Sequence, residues 1–488
     1  MNLFKIFKSQ YLLLFILAFN FSIIFSSVHF NDQNTLSNAR IQKSDQMLNE
    51  YVEVNAADKT QILSFTFAIA PTNKIYLIYN EQNIDNNSIK MITSDSNYLW
   101  NKSAETILVE NETFNLFGTP TAFATSDELA VAITYSLNEY SGIKMLVKQY
   151  LDLNWVEKIT LSNDSFSFHE PILRLDQNSN DYWLCWKDNR VGDYNLYYLH
   201  YNSTSEQWSN QSRITEATGL NSTDCDFILD DNGNAHFVWS EGLHFEEKIL
   251  YKMIYRNGTQ KPIEELTTGT TRCRHSKIII DSYSMLNVFW GNYTVEFPGT
   301  QFGTKNIHSA SKPIFGNWSE PIEVAPFIPP DRPASGESDA SMPSVALDGQ
   351  NQLWLAYEIR EEYAYHQGVD IRERINLNWQ PSTQLSHANN AALRPKIKVD
   401  ATGNLHCFWL DGRFGNYELF HRIRFASGAW SDELSLTKDA LELGLVWTII
   451  IVVICGTILL AVPTIIVKRI RARRNMEIVR RKMQDLEK

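Results

Sequence analysis

The stretch IKVDATGNLHCFWLDGRFGNYELFHRIRFASGAW (397–430) decides the architecture, because it recurs nearly end to end as LRLDQNSNDYWLCWKDNRVGDYNLYYLHYNSTSEQW (173–208). Self-similarity on this scale marks a repeat fold, so the remaining chain is read in register with it. Aligning the aspartate before a turn with the aromatic nine or ten residues later pairs Asp176 with Trp186, Asp230 with Trp239, Asp281 with Trp290, Asp348 with Tyr357 and Asp400 with Trp409. Two degenerate copies come earlier, centred on Tyr79 in KIYLIYNEQ and Tyr135 in ELAVAITYS. That makes seven units with a period near 52 residues and one longer step between the fifth and sixth. A second marker agrees: Trp100, Trp155, Trp208, Trp318, Trp379 and Trp430 each end a Gly/Asn/Ser turn about twenty residues after the first aromatic, and only the fourth unit (RNGTQKPI) lacks it.

Each unit reads as four short strands. In the last they are Pro395–Asp400, Leu405–Leu410, Tyr417–Phe425 and Trp430–Ser435, separated by ATGN, DGRFGN and ASG. Four-stranded antiparallel units at this spacing predict an all-β, seven-bladed β-propeller over residues 61–437, since radial repetition leaves few exposed sheet edges. A two-sheet sandwich array is the structural alternative. The repeated Trp and Tyr residues are expected to pack between blades rather than to cage a ligand.

The pattern D-x-x-G-N-x-H-x-x-W (Asp400 to Trp409, nearly repeated from Asp230 to Trp239), followed by D-x-R-x-G-[DN]-Y (Asp188 to Tyr194, Asp411 to Tyr417), resembles sialidase-superfamily propeller repeats over residues 61–436. Turns such as ASGAW resemble worn Asp-box turns that have lost the aspartate. The resemblance implies a superfamily rather than an activity, one whose repeats are similar to those of many exported microbial surface proteins of unassigned role. It also implies that hydrolysis would need an arginine triad, a carboxylate-activated Tyr and an acid/base Asp. That set is not assembled here. Arg190 and Arg413 hold equivalent turn positions, and Arg394, one possible inward arginine, is matched by Glu170, Thr119 and Met342 in other units. Likewise, His236 and His406 share one pattern position and read as packed or hydrogen-bonded within their blades.

Outside the repeats, the two ends set the topology. Residues 11–25, YLLLFILAFNFSIIF, follow Lys5 and Lys8, so residues 1–29 read as a signal sequence or N-terminal anchor, and 30–60 as a lead-in to the ring. Leu443 to Val467 is uncharged for 25 residues and is predicted to be a transmembrane helix. KRIRARR (468–474) then places the basic tail, 468–488, in the cytoplasm and suits anionic lipid at Lys468–Arg474. The net charge is −12, and the acid lies between the two basic ends, which excludes a general nucleic-acid binder. Glycosylation sequons fall at Asn86, Asn101, Asn111, Asn163, Asn202, Asn210, Asn221, Asn257, Asn292 and Asn317, all in the outer segment. The expected location is the cell membrane, with a single pass and the propeller outside. Cys225 and Cys273 precede first strands of adjacent units and are considered as a bridge, although inner-strand separation weighs against it.

Two residues after the first aromatic come Glu81, Asp188, Glu241 and Asp411, with Asn292 in the same register. Period two puts each on its aromatic's side of the strand. Each acid can cap its own turn, or the acids can form a partial carboxylate ring that takes a cationic ligand or calcium near Asp188 and Asp411. Arg190 and Arg413 accompany that ring. The loops Gly291–Thr304 and Glu323–Pro343 add Tyr293, Phe297, Phe302 and Phe327 to the same face. No catalytic residue and no required cofactor are assigned. The reading favours binding of a glycan or surface protein, with a glycan-cleaving hydrolase or lyase as the alternative.

Overall fold

A computed structural model describes residues 61–437, apart from 83–86, 107–117, 138–139, 153, 164, 217, 244–245, 268–270, 294–304, 326–337, 362–365, 387–391 and 414, together with 467–480. The seven units are seven antiparallel sheets with consecutive strands in the order first, second, third, fourth, and in two of them a short fifth strand also pairs with the third. They span 61–106, 121–163, 168–213, 221–265, 272–325, 338–384 and 392–435, and are called blades 1 to 7. First strands touch the first strands of neighbouring blades, so they line the axis.

The aromatic register explains the closure. Tyr135, Trp186, Trp239, Trp290, Tyr357, Trp409 and Tyr79 each sit in a different one of seven apolar clusters, and every cluster joins two adjacent blades. The second-marker tryptophans reinforce six of these, and the cluster between blades 3 and 4 lacks one because blade 4 does. In blade 7 the second strand, Leu405–Asp411, is buried throughout: Leu405, Cys407 and Trp409 face blade 6, while Phe408 and Leu410 face blade 1. Burying both faces of a radial sheet is worth about 1.5–3 kcal/mol per large apolar side chain. Closure between blades 1 and 7 is non-covalent, through that cluster and through Lys398 Nζ donating to the Phe67 carbonyl at 2.6 Å.

The repeated aspartates make the turns between first and second strands. Asp400 Oδ1 accepts from the backbone N–H of Thr402 and Asn404, and Asp230, Asp281 and Asp348 do the same in their blades. His236 and His406 are buried against these carboxylates, 3.3 and 3.1 Å away. The expected strands of blade 7 shift by a few residues: the third is Glu418–Arg424, and Trp430 makes only an isolated bridge to Arg424 ahead of a two-residue fourth strand.

Cys225 and Cys273 are free thiols within first strands rather than ahead of them, and Cys225 Sγ instead lies 3.8 Å from Cys185 Sγ. A helix covers 467–480, and among the described residues no helix is long and apolar enough to cross a membrane. The expected signal segment, the lead-in and the span Leu443–Val467, except Val467 itself, lie outside the described residues, as do Phe297, Phe302, Phe327, Asn86 and Asn111.

Candidate functional site

The acids of the expected ring are each satisfied inside their own blade. Trp186, Trp239 and Trp409 donate their indole N–H to Asp188, Glu241 and Asp411 at 2.7, 3.0 and 3.1 Å, which places each acid on its aromatic's side. Arg190 and Arg413 close over Asp188 and Asp411 through Nε and Nη2, and their backbone N–H groups donate to the same carboxylates. Each guanidinium also lies on an aromatic ring, Arg190 on Tyr197 at 4.0 Å and Arg413 on Phe420 at 4.3 Å. Glu81 pairs with Lys90, and Asn292 turns toward Cys273 and His308. Among the described residues no three His, Cys, Asp or Glu side chains gather as a metal set.

A different group converges at the axis on the same face. The first strands of blades 3 to 7 each carry a β-bulge with one residue in the left-handed region: Glu170 (φ 51°), Asp224 (53°), His275 (59°), Met342 (51°) and Arg394 (54°). Side-chain-bearing residues are uncommon there, and a bulge re-aims the residue it carries. Each stands six residues before its turn aspartate. Bulges therefore deliver five non-identical side chains to one rim around the axis.

Tyr293 lies within this rim. Its ring folds back over Gly291, where a Cβ would come 3.1 Å from Cε2 and 3.4 Å from the hydroxyl. Arg272 and Lys305 lie over the ring at 5.9 and 5.7 Å, and His275 meets it edge-on at 6.4 Å. His275 Nδ1 is 3.4 Å from Asp224 Oδ1, and Asp224 Oδ2 is enclosed with no hydrogen-bond partner among the described residues. Glu247 fastens Arg272 at 2.8 Å and grips Arg274 through both oxygens. Lys187 pairs with Glu170 at 2.8 Å and lies over Tyr194, whose hydroxyl is 3.5 Å from His169 Nε2. Glu358, on the second strand of blade 6, accepts the Arg394 backbone N–H at 2.7 Å.

The two carboxylates at the centre are driven in opposite directions. Burial opposes the charge on Asp224, but His275, Arg274 and Lys187 outweigh it and hold the carboxyl well below its usual range. Burial also raises Glu358, and there Arg394, His275 and Lys305 offset it only in part. Tyr293 is raised by burial and then by both of these acids, against Arg272 and Arg274, so its hydroxyl keeps its proton. His169 is lowered by burial and by Lys187 and stays neutral.

Of the residues predicted from sequence, only Tyr293 joins this cluster, together with Arg394 and Glu170, which sequence register had set aside as non-matching. Asp224, His275, Lys187 and Glu358 were missed. The signal lay in the constant six-residue offset from the turn aspartate and, for Lys187 and Glu358, in the position directly after the first aromatic. On the opposite face a groove of about 490 Å³ between blades 4 and 5 exposes Tyr283 and Phe315; of its two acids, Asp230 is spent on its own turn and Asp231 is exposed.

No described protein family and no curated protein matches the sequence. Solved structures do. A polysaccharide lyase of family PL25, an ulvan lyase, is 11% identical with a TM-score of 0.45, over 62% of this chain and 80% of that one. An α-L-arabinofuranosidase of Fusarium graminearum is 10% identical with a TM-score of 0.44, over 75% and 94%. A Dyadobacter fermentans protein of unknown function is 10% identical with a TM-score of 0.42, over 66% and 96%. At such identities and TM-scores these likenesses assign no activity, and the seven-bladed propeller rests on the sheet topology itself.

Proposed function

We propose that this chain is a membrane-tethered surface protein whose axial site binds an extracellular glycan and cleaves a glycosidic bond. Glu358 donates a proton to the leaving oxygen, and ionised Asp224 takes a proton from the water that attacks the anomeric carbon as the glycosidic bond breaks. The single observation behind this reading is the pair itself: two half-buried carboxylates near Tyr293 and His275 whose surroundings favour opposite protonation states. Two-carboxylate glycoside cleavage requires one acid and one base, and such a split is how one site supplies both. Arg272 and Arg274 are already held by Glu247, so they orient and charge the rim rather than forming an open arginine triad. The tether is the apolar span Leu443–Val467, with the basic segment Lys468–Arg474 against anionic lipid.

The test is release of reducing ends by the purified full chain from a panel of neutral, uronate-containing and sulfated polysaccharides. Release that disappears in both Glu358→Gln and Asp224→Asn supports cleavage. Binding to the same polysaccharides without release, in wild type and variants alike, would sink the catalytic assignment and leave pure recognition.

A further inference from the structure

Below the bulges, four first-strand positions carry cations. Two residues below the bulges come Lys277 in blade 5 and Lys396 in blade 7, and four below come Arg174 in blade 3 and Lys398 in blade 7. Lys396 Nζ lies 5.4 Å from the Phe65 ring and Lys398 Nζ 5.1 Å from Phe67, so both reach toward the first strand of blade 1. The acid at this depth, Asp226, is used up: Oδ1 takes Arg174 at 2.7 Å and Oδ2 takes the Ile278 N–H at 3.3 Å. Lys398 is nonetheless open to water although its strand is innermost, so the lysines border a solvent-accessible space. Gathered like charges in a confined space are costly unless a counter-charge joins them.

We propose that this space is a binding site for an oxyanion, either a free sulfate or phosphate or the carboxylate of an acidic sugar, held between Lys277, Lys396 and Lys398. The site stands apart from the carboxylate pair above it and does not depend on cleavage there. Its electrostatics leave a fingerprint. Lys396 is lowered to about 7 by burial and by Lys277, Lys398, Arg394 and Arg174. Between that value and the ordinary lysine value the unfolded chain binds more protons than the folded one, so stability rises as pH rises through this window. A bound anion favours the charged lysines and flattens the slope.

The experiment is thermal unfolding of the full chain at constant ionic strength, with chloride replaced in turn by sulfate, phosphate or glucuronate, and with glucose as the neutral control. Sulfate is expected to raise the Tm by about 2–4 °C at pH 7 and to lose its effect by pH 9. Lys396→Met should raise the Tm in chloride and abolish the sulfate response. Protection by glucuronate alone identifies a sugar-borne carboxylate as the occupant, and protection by sulfate or phosphate a free oxyanion. Equal Tm values in all salts, with no rise between pH 7 and 9 in chloride, would overturn the proposal, and this reading needs no variant to fold.

Discussion

The second-strand rim and the axis carry the same kinds of side chain and treat them differently. At the rim, Asp188 with Arg190 and Asp411 with Arg413 are copies of one arrangement, each acid fully enclosed, and each paired within its own blade. At the axis, one register holds Glu170, Asp224, His275, Met342 and Arg394, no two alike, and Asp224 retains an enclosed oxygen without a partner among the described residues. Residues that repeat with the blade answer a need every blade has, namely capping its turn and seating its aromatic. Residues that vary within a register have no such common duty, and chemistry can be built from them.

The largest effect that would sharpen this contrast is on turnover. Glu358→Gln is expected to reduce sugar release by about 10³-fold, within the range for loss of a general acid, with the propeller still folded by near-UV circular dichroism. The wild-type rate should fall on the alkaline side as Glu358 loses its proton and on the acid side as Asp224 gains one. Stability follows the same two groups with opposite signs. Asp224, depressed in the fold, contributes stability above its unfolded value near 3.8 that is lost as pH falls. Glu358, raised in the fold, favours folding below its unfolded value near 4.5, and that contribution is lost as pH climbs through the raised value. Urea midpoints taken across pH 3–8 should therefore show Asp224→Asn flattening the acid side and Glu358→Gln the alkaline side.

At the rim the expected effect is structural. Arg413→Met leaves Asp411 enclosed with Trp409 as its side-chain partner and should cost about 3 kcal/mol in urea unfolding, while sugar release by the folded fraction stays unchanged. The loss should be the same with and without calcium, because both Asp411 oxygens already accept from Arg413 and one also from the indole. A calcium-dependent Tm would instead revive the carboxylate-ring reading.

The two regions were unequally legible in sequence for a physical reason. Turn aspartates and blade aromatics are dictated by local turn chemistry and strand period, both written along the chain. A bulge is a property of two paired strands. Where it is followed by proline, which cannot donate to the ladder, it leaves a trace, as at Glu170-Pro171, Met342-Pro343 and Arg394-Pro395. Asp224-Cys225 and His275-Ser276 carry no such trace. Glu358 and Lys187 lie on the strand face opposite the aromatic, whereas the period-two argument followed the aromatic's side.

The smallest expected effect tests whether the rim positions Tyr293 or merely contains it. Gly291 lies in an extended strand without a positive φ, so Gly291→Ala costs no backbone strain. The added methyl would stand 3.1 Å from Cε2 of Tyr293, closer than ordinary packing allows, and the ring must give by a few tenths of an ångström. That displacement shifts a hydroxyl whose proton both Asp224 and Glu358 help to hold, without altering either acid. A drop of about tenfold in sugar release, with a Tm close to wild type and an unshifted pH profile, is the outcome expected of a positioning role. Tyr293→Phe should match it in size. Full activity in both variants would mean that the two carboxylates work without the tyrosine, and that the ring serves the rim only as packing.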